Sequence, residues 1–158
     1  MVRGDVIIER VAAETTFPLR QRVLRPHETV AEMALSGDDH PDAGHFAARA
    51  ADGSVVGTAT VRREAPPWAA DAPDAWRLRG MATAEGWRGH GIGGRILAAI
   101  VDHVSSRGGG LLWCNARVPA VAFYRRAGLE TRGEEWDEPH IGPHVAMSVQ
   151  IPPRASEM

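Results

Sequence analysis

The run Arg88-Gly89-His90-Gly91-Ile92-Gly93-Gly94 sets four glycines and an arginine directly before apolar residues at helical spacing. Glycine has no Cβ, so amides in such a loop can close around a phosphate, and the uncompensated N–H groups of a helix start favour an anion. Arg88 adds a charge-assisted donor. A plain strand-to-helix turn would also use these residues. The Gly89-x-Gly91-x-x-Gly94 spacing fits a dinucleotide fingerprint as well, but that motif needs a parallel βαβ unit and an acidic residue about 20 positions on. Residues 108 to 114 supply none. No Gly-Lys-Ser/Thr follows the loop, which removes a P-loop.

Proton transfer needs a group that titrates near neutral pH or a carboxylate raised by burial. His144, His45, Glu135 and Asp39 are the candidates for a general base, and His144 is preferred. Asp38, Asp39, His40, Asp42 and His45 invite a metal reading, as do His140 and His144. Gly142-Pro143 breaks the helix that an i, i+4 histidine pair would need, and acidic turns are usually solvated, so no metal is expected. Arg77, Arg79 and Met81 alternate on one strand face, where the arginines would meet either an acidic acceptor or nearby carboxylates. Cys114 has apolar neighbours and reads as a buried thiol, not a nucleophile.

These residues need elements to position them. Residues 6–11 form an apolar run fit for a strand. Thr15 or Thr16 is expected to cap a helix carrying Leu19, Val23 and Leu24 until Pro26 stops it. A short helix is expected over residues 29–35, followed by the acidic loop 36–44, a candidate for substrate contact. Residues 45–51 and 54–63 read as strands joined by a hairpin turn at Asp52-Gly53. After a Pro- and Asp-rich loop, residues 76–83 read as a strand that Gly80 interrupts as a bulge or close approach. Ile92, Ile96, Leu97, Ile100, Val101 and Val104 recur at helical spacing until Gly108-Gly109-Gly110. Residues 111–114 are a buried strand, residues 118–127 a helix of two to three turns, and residues 129–136 and 144–151 the closing strands. The five tryptophans read as core and rim packing.

The 158 residues fit one domain, residues 1–158, with a core of its own. The net charge of -2, from 18 basic and 20 acidic residues, offers no polybasic face, so neither nucleic acid nor a membrane surface is an expected partner. No signal-like or membrane-length apolar stretch stands out, and a single cysteine permits no intrachain disulfide. A cytoplasmic protein is expected. The sequence is compatible with a homodimer and does not set the oligomeric state.

From Trp76 to Leu129 the chain resembles the GNAT superfamily of N-acetyltransferases. Residues 88–93 match its Arg/Gln-x-x-Gly-x-Gly/Ala signature. Asn115, followed by Ala122-Phe123-Tyr124-Arg125-Arg126-Ala127-Gly128-Leu129, looks like its second signature, and two motifs at the family's separation are far more specific than either alone. Arg22-Val23-Leu24, Gly37-Asp38-Asp39, His45 and residues 141–147 are similar to the ElaA-like branch.

The resemblance implies an α/β (α+β) fold, with a mixed, mostly antiparallel sheet of about seven strands flanked by about four helices. It also implies acetyl transfer from acetyl-CoA, as acyl donor, to an amine of a small molecule or peptide. The backbone of Met81 and Thr83 would bond the pantetheine arm, and an N–H near Ala82 would take the thioester oxygen. The pyrophosphate would rest on the amides of Gly89, His90, Gly91, Ile92, Gly93 and Gly94. Arg88 would flank it, Asn115 would help place the cofactor, and Arg125 or Arg126 would reach its outer phosphate. Tyr124 would give the departing thiolate its proton. The rival reading is a non-catalytic acyl-CoA binding or sensing module that keeps the same groove.

Overall fold

Asp52-Gly53 turns the chain as the sequence predicts. Gly53 takes a φ of +88°, and the Asp52 carboxylate accepts the Ser54 N–H at 2.9 Å and its hydroxyl at 2.6 Å. The two arms, β2 (Gly44–Arg49) and β3 (Val55–Arg63), therefore pair antiparallel, from Gly44 opposite Val61 to Arg49 opposite Val55. The computed structural model describes residues 5–154. The other strands are β1 (Ile7–Arg10), β4 (Ala75–Thr83), β5 (Gly110–Arg117), β6 (Glu130–Glu138) and β7 (Gly142–Ile151). Their order in the sheet is β1-β2-β3-β4-β5-β7-β6. Of the strand pairs with a defined register, only β4 with β5 is parallel. That mostly antiparallel order is not the doubly wound sheet a dinucleotide fingerprint requires.

Among the described residues three α-helices accompany the sheet, α1 (Ala13–Leu24), α2 (Ile92–Ser106) and α3 (Val121–Arg126), with single 3-10 turns at Ala31–Met33, Pro67–Ala69 and Val118–Ala120. The expected fourth helix, over residues 29–35, is only the first of those turns. Thr29 and Glu32 close it reciprocally, Glu32 N–H to Thr29 Oγ1 and Thr29 N–H to Glu32 Oε1. Helix α1 starts earlier than predicted. Its N-cap is Ala12, which has no capping side chain, and the Thr16 hydroxyl points inward to donate to the Ala13 carbonyl at 2.7 Å. The helix predicted over residues 118–127 is likewise divided between a 3-10 turn and α3.

The chain forms two compact units, Met1–Arg62 with Gly80–Ile100, and Arg63–Arg79 with Val101–Met158. In the first, β2 and β3 are almost wholly buried. Ile92 and Ile96 of α2 press against β3 at Gly57, where a Cβ would come within 2.7 Å of the Ile96 side chain. Side chains alternate along a strand, so Thr58 and Thr60 face away from α2. Both are buried. Burial of Ile92, Ile96, Leu97 and Ile100 contributes about 1.5–3 kcal/mol per side chain.

In the second unit, β5 pairs with β7 along its whole length, from Gly110 opposite Ile151 to Arg117 opposite His144. Trp76 and Trp113 are fully buried there. Trp113 gives its indole N–H to the Glu64 carbonyl at 2.8 Å, and Arg63 lies over the Trp76 ring. Strand β5 runs three residues past its predicted end, because the β7 ladder carries Asn115, Ala116 and Arg117.

Candidate active site

The glycine loop lies in the first unit, after β4 and at the start of α2. Gly89 and Gly91 adopt φ of +81° and +77°, and the space beside each is open. L-residues rarely take such angles, which orient successive amides outward. Among the described residues, the amides of Gly89, Gly91, Ile92, Gly93 and Gly94 meet no backbone acceptor, and the helical bonding begins with Arg95 N–H to Gly91 O at 3.2 Å. Unpaired donors, positive φ and a helix start together fit an anionic pyrophosphate. Arg88 is exposed and bonds back to the Thr83 carbonyl at 3.4 Å, and His90 is exposed beside it.

Gly80 stands upstream on β4 with φ +65°. Thr58 Oγ1 donates to its carbonyl at 2.9 Å. Arg20 of α1 covers its Cα, with Nε 2.6 Å from where a Cβ would stand. The predicted close approach is thus to a side chain of α1. Met81 and Thr83 are half-buried and Ala82 is buried.

In the second unit, the ladder between β4 and β5 joins Ala75–Arg77 to Leu111–Trp113 and stops there. Residues 114–117 of β5 therefore pair only with β7 among the described residues. Asn115 is exposed on this stretch. Residues directly opposite in an antiparallel pair project to the same face. Asn115, Arg117 and His144 thus share one face, and Cys114 and Met147 share the other.

Tyr124 lies near Cys114. It is 6% exposed, and its ring meets Phe123 edge-on at 5.1 Å. Among the described residues no hydrogen-bond partner is recorded for its hydroxyl. Burial raises the phenol above its ordinary range, Cys114 adds to this, and the charge of Arg117 opposes it. Tyr124 therefore keeps its proton at any physiological pH. The Cys114 thiol is also pushed up, to about 12, chiefly by burial and against the opposing charge of Arg77. It is a buried thiol, as its neighbours predict.

His144 is buried, and its Nδ1 donates to the Gly142 carbonyl at 2.8 Å. That bond leaves the lone pair on Nε2. The Trp136 ring stacks on the imidazole at 5.8 Å. His45 is arranged otherwise. Its Nε2 donates to the Asp38 carbonyl at 2.8 Å, so in the neutral ring its Nδ1 accepts from Thr60 Oγ1 at 2.9 Å. Asp39 and Glu135 are exposed. Arg77 pairs with Glu64 at 2.9 Å and lies over Trp113, which assigns it the carboxylate alternative. Arg126 ends α3 in solvent, and Arg125 reaches Thr131 at 3.5 Å.

The acidic loop borders a cavity of about 780 Å³ in the first unit, whose walls include Phe17, Leu35, Asp38, Asp39, His40 and His45. Nothing in the periodicity singles out Arg20 of α1. It is 5% exposed, and its Cζ sits 5.8 Å from the centre of the Phe17 ring.

Residues 10–129 match the model of the Acetyltransferase (GNAT) family. The chain is 31% identical over 140 residues to the Uncharacterized N-acetyltransferase YitI of Bacillus subtilis, covering 89% of this chain and 93% of that protein. Its fold is similar to a phosphinothricin acetyltransferase of Sinorhizobium meliloti solved in complex with AcCoA, with a TM-score of 0.73 at 17% identity over 96% of this chain and 92% of that one. Escherichia coli ElaA superposes with a TM-score of 0.67 at 15% identity over 90% of this chain and 98% of its own. With the family model spanning both signature motifs, the chain belongs to the GNAT family of acetyltransferases.

Proposed function

We propose that this acetyltransferase takes its acetyl group from acetyl-CoA and delivers it to an amine of a small molecule or peptide. The observation that carries the cofactor assignment is the set of unpaired amides from Gly89 to Gly94 at the start of α2. In this reading those amides, with His90 and Arg88, hold the pyrophosphate, and the backbone of Met81, Ala82 and Thr83 holds the pantetheine arm and the thioester oxygen. Asn115, on the stretch of β5 that has no β4 partner, helps place the arm, and Arg126 serves the outer phosphate. Acetyl-CoA supplies an activated thioester.

The chain's own groups move the protons. His144 Nε2 accepts the proton that the amine must lose, and Tyr124 Oη gives its proton to the departing sulfur. A phenol kept neutral by burial suits the second role. We place the chain in the ElaA-like branch on its Arg22-Val23-Leu24, Gly37-Asp38-Asp39 and C-terminal residues. The whole chain is read as one catalytic domain, since β4 and α2 each run through both units and the family model covers 10–129. A reducing cytoplasm suits the buried Cys114 thiol.

The test is incubation with acetyl-CoA and a broad panel of amines, following free thiol. Turnover of at least one amine is expected. Tight acetyl-CoA binding without turnover of any amine would instead favour the sensing module. Thermal stabilisation by NAD and none by CoA would overturn the reading.

A further inference from the structure

Gly80 is held from two sides. From β3, the buried Thr58 hydroxyl donates to its carbonyl at 2.9 Å. From α1, Arg20 lies against its Cα, with Cδ, Nε and Cζ at 3.0, 2.6 and 3.2 Å from where a Cβ would stand. Arg20 is pinned in turn by its own helix. Its Cζ sits 5.8 Å from the centre of the Phe17 ring, and its Nη1 reaches the buried Thr16 Oγ1 at 3.5 Å. Loss of solvent depresses the pKa of this guanidinium, against the opposing charge of Asp38. Burying a charge is costly, and an apolar side chain would cover a glycine at less cost. The arginine and the threonine converge on one residue of β4.

Gly80 takes a φ of +65° inside that strand. A left-handed residue within a strand breaks the pleat and sets where the peptide groups after it point. Those groups are Met81, Ala82 and Thr83, the backbone assigned above to the pantetheine arm and the thioester oxygen. The far end of the segment is tied to β3, where Ala84 N–H donates to the Val56 carbonyl at 2.8 Å. At the near end, Thr58 fixes the direction of the Gly80 carbonyl, and Arg20 fills the space in front of the Cα. We infer that Arg20 and Thr58 are positioning residues for the cofactor, a clamp on Gly80 that aims the backbone of residues 81–83 at the pantetheine arm. This rests on the acetyl-CoA reading given above. It adds two side chains that act through a third residue.

The experiment is calorimetric titration of the full chain and its variants with CoA and, separately, with ADP at concentrations that saturate the wild type. ADP keeps a pyrophosphate for the glycine loop and lacks the pantetheine arm. Thr58→Val keeps the outline of the side chain and leaves the Gly80 carbonyl without its donor. It is expected to weaken CoA binding by about tenfold and to leave ADP binding unchanged. Arg20→Met keeps the length of the side chain, removes the guanidinium from Gly80 and should give the same selective loss. Thr58→Ser restores the hydroxyl and should recover wild-type affinity for CoA, while unchanged ADP binding shows that each variant is folded. Wild-type affinity for CoA in either Thr58→Val or Arg20→Met, equal loss of CoA and ADP, or a serine variant no better than the valine one would each overturn the inference. A wild type that binds neither ligand would strike the function proposed above, and this inference with it.

Discussion

The Trp136 indole lies on the His144 imidazole, with centroids 5.8 Å apart and planes 27° from parallel. Together with the Nδ1 bond to Gly142, this fixes both the tilt and the tautomer of the ring, so that Nε2 is the basic atom. His144→Gln keeps an amide in place of the ring and removes the base. It is expected to lower kcat by about a hundredfold, with a much smaller change in acetyl-CoA affinity. A variant that keeps its kcat would show that the base lies elsewhere. Trp136→Ala leaves the Gly142 bond and should cost less than His144→Gln.

Tyr124 supplies a separate prediction. Burial raises its pKa, so the phenol is neutral across the working range and its ionisation does not produce an alkaline limb below pH 10. Tyr124→Phe removes only the hydroxyl from a ring packed against Phe123. Thermal stability should change little and kcat should fall about 10²- to 10⁴-fold. Steady-state kinetics with thiol detection measure both effects on one preparation. Wild-type turnover by the phenylalanine variant would remove Tyr124 from the mechanism.

Much of this was readable from the chain because it is local. The Asp52-Gly53 turn carries its own hydrogen-bonding chemistry, and the apolar face of α2 repeats with a 3.6-residue period. The glycine loop was legible for the same reason. Elements set by distant partners were harder to read. Asn115 and Arg117 look like loop residues until β7 pairs with them, and the start of α1 has no capping side chain to announce it. The partners of His45 are equally distant in sequence, since only the fold brings Thr60 and the Asp38 carbonyl to its two nitrogens. A charged residue on a helix is ordinarily solvated, so the burial of Arg20 against Gly80 and Phe17 is not legible in the sequence.

Cys114 predicts how stability depends on alkali. Its pKa is raised from 9.0 to about 12 in the folded chain. Above pH 9 the unfolded chain loses this proton first, so the folded state holds more protons and stability falls as pH rises. The stabilisation is complete below pH 9 and is lost progressively towards pH 12, with a slope of up to about 1.4 kcal/mol per pH unit. Cys114→Ala should flatten that part of the profile, although it is less stable at neutral pH. Denaturant titrations at stepped pH measure it, and parallel curves for the two proteins would contradict the burial of the thiol.

The last prediction separates the phosphate role of the loop from its backbone strain. Gly91 and Gly133 have nearly equal φ, +77° and +78°, and both have open space where a Cβ would go. An alanine at either position therefore meets no steric obstacle and carries the same left-handed strain, about 1 kcal/mol. Gly133 lies in β6, away from the glycine loop in sequence. Gly91→Ala and Gly133→Ala should lose similar stability in thermal unfolding. Only Gly91→Ala should weaken CoA binding, by about tenfold, because relaxing φ turns an amide that the pyrophosphate uses. Calorimetric titration of CoA into both variants decides the point. Equal affinities in the two variants would mean that the loop is a turn and that the phosphates are held elsewhere.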